Sequence, residues 1–207
     1  MLEHLRGLMT KVLIAPIARL LLRLGLGPDA ITVIGTVLTC ASALWLVPQG
    51  HLMIALVLVT VFALFDLLDG TMARLSGRTS AFGAFLDSTL DRVADAVVFG
   101  SVMLYFAGPG DSLFGQAMAL WCLVTGVSTS YARARAESVG FTARVGIMER
   151  ADRLVLLGLA AIAAEVAGDP LVFAWGLALL GALSTVTVLQ RILSVRRQAL
   201  DVSSAPG

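Results

Sequence analysis

The sequence predicts an all-α polytopic membrane protein, with six transmembrane helices preceded by an N-terminal amphipathic helix in the membrane interface. Three observations predict it. First, 58% of the 207 residues are hydrophobic and only 14% are charged. Mean hydropathy is +0.91, whereas a soluble domain carries about 25% charged residues, so lipid is the expected solvent. Second, six apolar stretches approach the roughly 20 helical residues that cross a bilayer. Third, the basic residues gather on one side of those stretches.

Residues 3–25 come first. Leu5, Leu8, Met9, Val12, Leu13, Ala15, Ile17, Leu20 and Leu21 recur at helical spacing, interrupted by Arg6, Lys11, Arg19 and Arg23. A helix with this pattern lies in the interface plane. As a seventh span it would carry four cations through hydrocarbon, at about 2.5–3.5 kcal/mol each near the centre. The same basic residues, with no small-residue cleavage site after a short apolar core, do not form a signal peptide. The six spans follow near 30–48, 52–75, 82–107, 113–135, 152–168 and 171–193, the fifth being short. Pro48-Gln-Gly50, Gly108-Pro-Gly110-Asp111 and Gly168-Asp-Pro170 are turn signals between them. The expected organisation is a single domain over 1–207: interfacial helix and linker at 1–27, six-helix bundle at 28–197, tail at 198–207.

Charge sets the expected orientation. The loops near 49–51, 108–112 and 168–170 contain no Lys or Arg. The 15 basic residues gather in the N-terminal helix, around the 76–81 turn and the acids after it, in 133–153 and at 191–197. Under the positive-inside rule those segments are cytoplasmic. The expectation is a multi-pass cell-membrane protein with both termini in the cytosol. A net charge of +1 carries no nucleic-acid signature. Cys40 and Cys122 lie in apolar runs and read as small buried hydrophobes.

The second and third spans hold an anomaly. Asp66, Asp69, Asp87, Asp91 and Asp95 fall within about 30 residues of apolar chain, near the cytoplasmic helix ends. Acids inside a membrane span are costly and mark function by default. Asp66 and Asp69 are three apart, and Asp87 and Asp91 four apart, so each pair shares a helix face. A short turn at 76–81 makes the helices antiparallel neighbours. Crowded carboxylates repel unless protonated, and a hard divalent cation such as Mg²⁺ or Mn²⁺ relieves them. Pairing with Arg74 and Arg92 is the alternative, but two cations cannot neutralise five acids. Gly70, Ala73 and Gly83 keep the helix surfaces low beside the acids, for a ligand or for close helix packing.

The pattern Asp66-x-x-Asp69-Gly70-x-x-Ala73-Arg74-(eight residues)-Gly83-x-x-x-Asp87-x-x-x-Asp91 resembles the signature of the CDP-alcohol phosphotransferase family at every fixed position. Six spans behind an interfacial helix resemble the same family, so the likeness covers nearly the whole chain. It implies that Asp66, Asp69 and Asp87 bind metal, with Asp91 contributing. It implies two Mg²⁺ or Mn²⁺ ions on the diphosphate of a CDP-linked donor. Asp91 is implied as the catalytic general base toward the acceptor hydroxyl, and CMP as the leaving group. Gly70, Ala73, Arg74 and Gly83, with Thr79 nearby, are implied to line the donor's nucleotide pocket. Gly27-Pro28-Asp29-Ala30-Ile31-Thr32 resembles the family's Pro-Asn-x-x-Thr stretch, with Asp29 in place of Asn. Asp29 and Thr32 therefore read either as donor contacts or as a helix start capped by Asp29. A homodimer and a lateral opening for a lipid donor are expected by the same likeness.

The acceptor is read from Ser130-Tyr-Ala-Arg133-Ala-Arg135-Ala-Glu137, Glu149-Arg-Ala-Asp-Arg153 and Gln190-Arg191. Arg133, Arg153 and Arg191, with Ser130, suit a phosphate-sized pocket, because guanidinium groups bind phosphate oxygens in pairs. Ordinary positive-inside charge is the alternative. The stretches resemble the actinobacterial branch of the family that joins inositol phosphate to CDP-diacylglycerol. Members that use glycerol 3-phosphate are the runner-up. An acid-lined cation transporter is the alternative of another class, but its acids would run through the full membrane depth.

Overall fold

The structure, a computed structural model, describes residues 14–77 and 80–204, and for Asp66, Ser203 and Ser204 the backbone alone. Among the described residues all regular structure is helical: α1 (Ala15–Arg23), α2 (Pro28–Leu46), α3 (Leu52–Ala63), α4 (Phe65–Ser76), α5 (Ala81–Ala107), α6 (Leu113–Ser138), α7 (Arg150–Ala167) and α8 (Pro170–Ser204). Helices occupy all six ranges expected to span. Four are long and apolar enough to cross a membrane: Pro28–Leu46, Leu52–Ser76, Leu113–Ser138 and Pro170–Val202. The other two are diluted by charge: Asp87, Asp91, Arg92 and Asp95 in α5, and Arg150, Asp152, Arg153 and Glu165 in α7. Of the expected interfacial helix, residues 3–13 lie outside the described residues.

The turn signals act as the backbone requires. Gly50 takes φ +83° after α2. Gly77 and Gly168 close α4 and α7 in the left-handed conformation, which costs glycine no Cβ clash. Ser112 caps α6 by accepting from the Gly115 amide at 3.1 Å. Helix α8 continues past 197 to Ser204, so the segment expected as a tail is helical as far as Ser204. The cause is tertiary: the Gln198 side chain holds the main chain of Thr142, which no local signal announces.

The chain forms two compact units, Met1–Leu46 with Ile54–Val97, and Val47–Met53 with Val98–Gly207. In the first, α1 and α2 both pack on α4 around Ala18, Ile31, Leu68 and Met72. Helix α2 buries Pro28, Ile31, Thr32, Gly35, Thr39 and Ala43, a single face at helical spacing. Gly35 is needed for contact: a Cβ there would sit 2.8 Å from Phe65 Cβ. Helix α1 buries Ala15 and Ala18 and exposes Ile17 and Leu20 beside Arg19 and Arg23, with Leu24 exposed at its C-terminal cap.

In the second unit α8 packs along α6 and α7. The buried residues of α6 are mostly small: Gly115, Ala119, Cys122, Thr125, Gly126, Thr129 and Ala136. This is how helices approach closely without water to drive them together. Gly176 of α8 similarly admits Ala160 of α7, and Gly181 admits the Trp121 ring of α6.

Candidate active site

A cavity of about 200 Å³ opens in the first unit, between the start of α2, the middle of α4 and the first turns of α5. Seven residues singled out from the sequence line it: Asp29, Thr32, Asp69, Gly70, Ala73, Gly83 and Asp87. Helix periodicity brings them together. Asp69 and Ala73 lie one turn apart on α4, Gly83 and Asp87 one turn apart on α5, and Thr32 follows Asp29 by three on α2.

Asp69 is buried, and the Thr32 hydroxyl donates to its Oδ2. Thr32 also lies 3.2 Å from the Pro28 carbonyl. A hydroxyl has one proton, so it serves one acceptor at a time. Asp29 falls inside the first turn of α2 rather than at its cap, and its carboxylate points into the cavity rim. A Cβ on Gly83 would sit 3.3 Å from Asp29 Oδ1 and 3.2 Å from Ser80 Oγ.

Gly70 answers whether the small residues serve packing or a ligand. A Cβ there would meet nothing nearer than Arg74 at 3.9 Å. No neighbouring helix needs that space, in contrast to Gly35. At Gly70 smallness keeps cavity volume.

The remaining sequence-derived residues fall elsewhere. Arg74 is exposed and donates to Thr71 Oγ1 at 3.1 Å. Asp91 is one turn beyond Asp87, half-buried, with its Oδ2 3.3 Å from Arg92. Thr79 and the side chain of Asp66 lie outside the described residues. Among the described residues no three acids or metal-binding side chains converge on one point. The donor atoms that Asp69 and Asp87 bring to the cavity are carboxylate oxygens, a set suited to hard divalent cations. Reading from sequence missed Pro28, Ser80 and Ala84 in the lining. Ser80 had a signal, a serine just before a helix: it caps α5, accepting from the Gly83 amide at 2.9 Å.

The residues expected for the acceptor lie in the second unit. Arg153 is 1% exposed and Arg191 6%, a depth that charged side chains rarely reach unless partnered. The Arg153 guanidinium lies along α6 at Gly126, where a Cβ would sit 3.7 Å from Nε. Arg191 donates from Nη1 to the Thr129 carbonyl at 2.6 Å and from Nε to the Val145 carbonyl at 3.0 Å. Ser130 donates to the Gly126 carbonyl at 3.3 Å. Arg153, Arg191 and Ser130 thus each touch the 126–130 turn of α6. Arg133 is exposed at the end of α6 and bonds Glu137 at 3.3 Å.

The CDP-alcohol phosphatidyltransferase profile matches residues 26–186, and the chain belongs to that family. A phosphatidylinositol phosphate synthase of Cutibacterium acnes is 47% identical, over 95% of this chain and 98% of its own. One from Streptomyces avermitilis is 41% identical, over 98% of this chain and 85% of its own. The crystal structure of the Mycobacterium tuberculosis phosphatidylinositol phosphate synthase with CDP-DAG bound superposes with a TM-score of 0.84 at 39% identity, covering 88% of this chain and 93% of that one. The same enzyme has been solved in complex with manganese and citrate, with the same TM-score and identity, over 88% of each chain.

Proposed function

We propose that this enzyme transfers the phosphatidyl group of CDP-diacylglycerol to inositol phosphate, releasing CMP and forming phosphatidylinositol phosphate. The observation that carries the donor half is the meeting of Asp69, Asp87, Gly70 and Gly83 in one cavity. The acceptor half is supported by two arginines buried at one turn of α6, and by relatives of that name matching nearly end to end.

Asp66, Asp69 and Asp87, with Asp91 contributing, would hold the divalent ions, two Mg²⁺ or Mn²⁺ by family likeness. When bound, such ions offset charge on the diphosphate and on the departing CMP. Thr32 orients Asp69 through its hydroxyl. Gly70, Ala73 and Gly83 leave room for the nucleotide, with Asp29, Arg74 and Thr79 at its margin. Ser130, Arg153 and Arg191 bind the acceptor phosphate, and Arg133 adds positive charge at the entrance. The acceptor hydroxyl oxygen attacks the phosphorus that bears diacylglycerol. Its bond to the CMP oxygen breaks, CMP departs, and Asp91 takes the hydroxyl proton and returns it to water. A carboxylate is a weak base toward an alcohol, so positioning and charge supply most of the acceleration.

The same proposal includes a single domain over 1–207, in a homodimer of the cell membrane. It includes six crossings, by α2, α3 with α4, α5, α6, α7 and α8. The acids of α5 end at Asp95 and leave Ala96–Ala107 uncharged. Helix α1, with Ile17 and Leu20 outward, lies in the interface. Both termini and the site face the cytosol, as the basic residues suggest.

The test is CMP release by purified protein with CDP-diacylglycerol and Mg²⁺, offering inositol 1-phosphate, free inositol and glycerol 3-phosphate separately, with Asp91→Asn as control. Release with inositol phosphate alone, abolished in Asp91→Asn, is expected. Release with glycerol 3-phosphate instead overturns the acceptor. No release with any acceptor, from folded protein, overturns the transferase reading for these substrates.

A further inference from the structure

Helix α8 carries a polar stripe, three of whose side chains reach the segment joining α6 to α7. Thr187, Arg191, Ser194 and Gln198 follow at intervals of four, three and four, so they share one face. The Thr187 hydroxyl accepts from the Met148 amide at 3.0 Å. Arg191 Nε donates to the Val145 carbonyl at 3.0 Å. Gln198 pairs with Thr142 as one backbone strand pairs with another: its Oε1 accepts from the Thr142 amide at 3.0 Å, and its Nε2 donates to the Thr142 carbonyl at 2.6 Å. The Thr142 hydroxyl also donates to Oε1, at 3.2 Å. Ser194 steadies the amide, its hydroxyl accepting from Gln198 Nε2 at 3.2 Å. Gly146, at φ +143°, rests directly on Thr187 Cγ2, leaving no space for a side chain.

All three contacts fall on the segment joining α6 to α7. Outside regular structure its main chain lacks ladder partners, and unfastened loops open easily. Its two ends carry the acceptor residues. Ser130 lies on the last turns of α6, and Arg153 follows the Glu149 amide, which donates to Asp152 Oδ2 at 2.9 Å as α7 begins.

We propose that Gln198, with Thr187, is a positioning residue for the acceptor site: the α8 stripe latches the 139–149 segment and so sets the spacing between Ser130 and Arg153. This rests on the acceptor reading above. Gln198 touches no substrate and acts through the segment it holds. The latch is specific to the acceptor side, since no residue of the donor cavity belongs to it.

Two measurements on the full-length protein in detergent test it. Gln198→Leu removes all three bonds to Thr142 at a half-exposed position, and Thr187→Val removes the acceptor for Met148. Arg196→Gln, exposed on the same helix, is the control. Hydrogen exchange at Thr142 and Met148 should quicken in the respective variants and remain unchanged in the control. KM for the phosphorylated acceptor used by wild type should rise about tenfold in Gln198→Leu, with KM for CDP-diacylglycerol unchanged, since a positioning loss removes acceptor binding selectively. Unchanged exchange at Thr142 overturns the latch. Faster exchange with an unchanged acceptor KM, or an equal rise in both KM values, overturns its positioning role. Wild type that turns over no phosphorylated acceptor overturns the functional reading instead, while exchange still decides the latch.

Discussion

The proposed donor cleft and the proposed acceptor region are built by opposite means. The donor cleft is made by leaving things out: glycine and alanine keep about 200 Å³ open beside Asp69 and Asp87. The acceptor region is made by filling in: Arg153 and Arg191 are sunk among helices, and Arg191 is fastened to two main-chain carbonyls. A cleft that holds a multivalent cation must supply negative charge and volume. A pocket that holds a phosphate without metal must supply rigid positive donors, and a guanidinium with five donors can anchor and bind at once. The first design tolerates loss of shape poorly, the second loss of anchoring.

Charge in the donor cleft should give the largest effect. Asp87→Asn keeps the shape of the side chain and removes its charge. Activity should fall at least about a thousandfold, as for loss of a main electrostatic stabiliser. Mn²⁺ binding, followed by electron paramagnetic resonance, should weaken in parallel. Wild-type affinity for Mn²⁺ in that variant would remove Asp87 from the ligand set. Anchoring in the acceptor region comes next. Arg191→Met keeps bulk and loses both carbonyl bonds, so KM for the acceptor should rise about thirtyfold, equivalent to about 2 kcal/mol. A matching rise in KM for CDP-diacylglycerol would mean that the two regions are not separable as described.

Volume is tested by two glycines on packed helices of the same unit. Gly70→Ala adds a methyl that meets no protein atom within 3.9 Å. Thermal stability should hold or rise, because alanine gains about 1 kcal/mol over glycine inside a helix. Activity should still fall about tenfold, the usual scale for small steric misplacement of a substrate. Gly35→Ala should do the reverse, losing about 1–3 kcal/mol of stability by overpacking on Phe65 while the surviving folded enzyme keeps its KM values. A stability loss in Gly70→Ala would return that residue to helix packing.

The two regions also differ in how far they were legible. Within each helix of the donor cleft the lining residues are three or four apart, and fourteen separate Asp69 from Gly83, so period and signature spacing found seven of them, although Thr32 meets Asp69 across 37 residues. Asp29 as a cap was corrected by two residues, since Pro28 already begins α2 and the cap position falls on Gly27. Ser80 and Ala84 were missed because they are ordinary helix-start residues whose lining role depends on packing. The acceptor region rests on contacts between residues 46 to 62 apart, such as Arg191 with Val145 and Thr129. Composition identified its arginines, but no local pattern tells a buried, tethered arginine from an exposed one. The same blindness ended the last span at 193 and left Gln198 in a tail, when a bond to Thr142 holds it in α8.

Arg133 is the smallest effect and the sharpest discriminator. The sequence groups it with Arg153 and Arg191, yet it is exposed and bonds Glu137, which Arg144 also approaches at 3.7 Å. An exposed pair four apart on a helix contributes about 0.3–0.5 kcal/mol. Solvent also screens its pull on an incoming phosphate within a Debye length of about 8 Å at physiological salt. Arg133→Gln should therefore raise the acceptor KM less than about threefold, and the difference from wild type should vanish in high salt, as for a steering charge. A salt-independent rise of tenfold or more would put Arg133 on the phosphate itself. That would require it to leave Glu137 and turn inward on binding, and the acceptor region would then be completed by its substrate rather than built in advance.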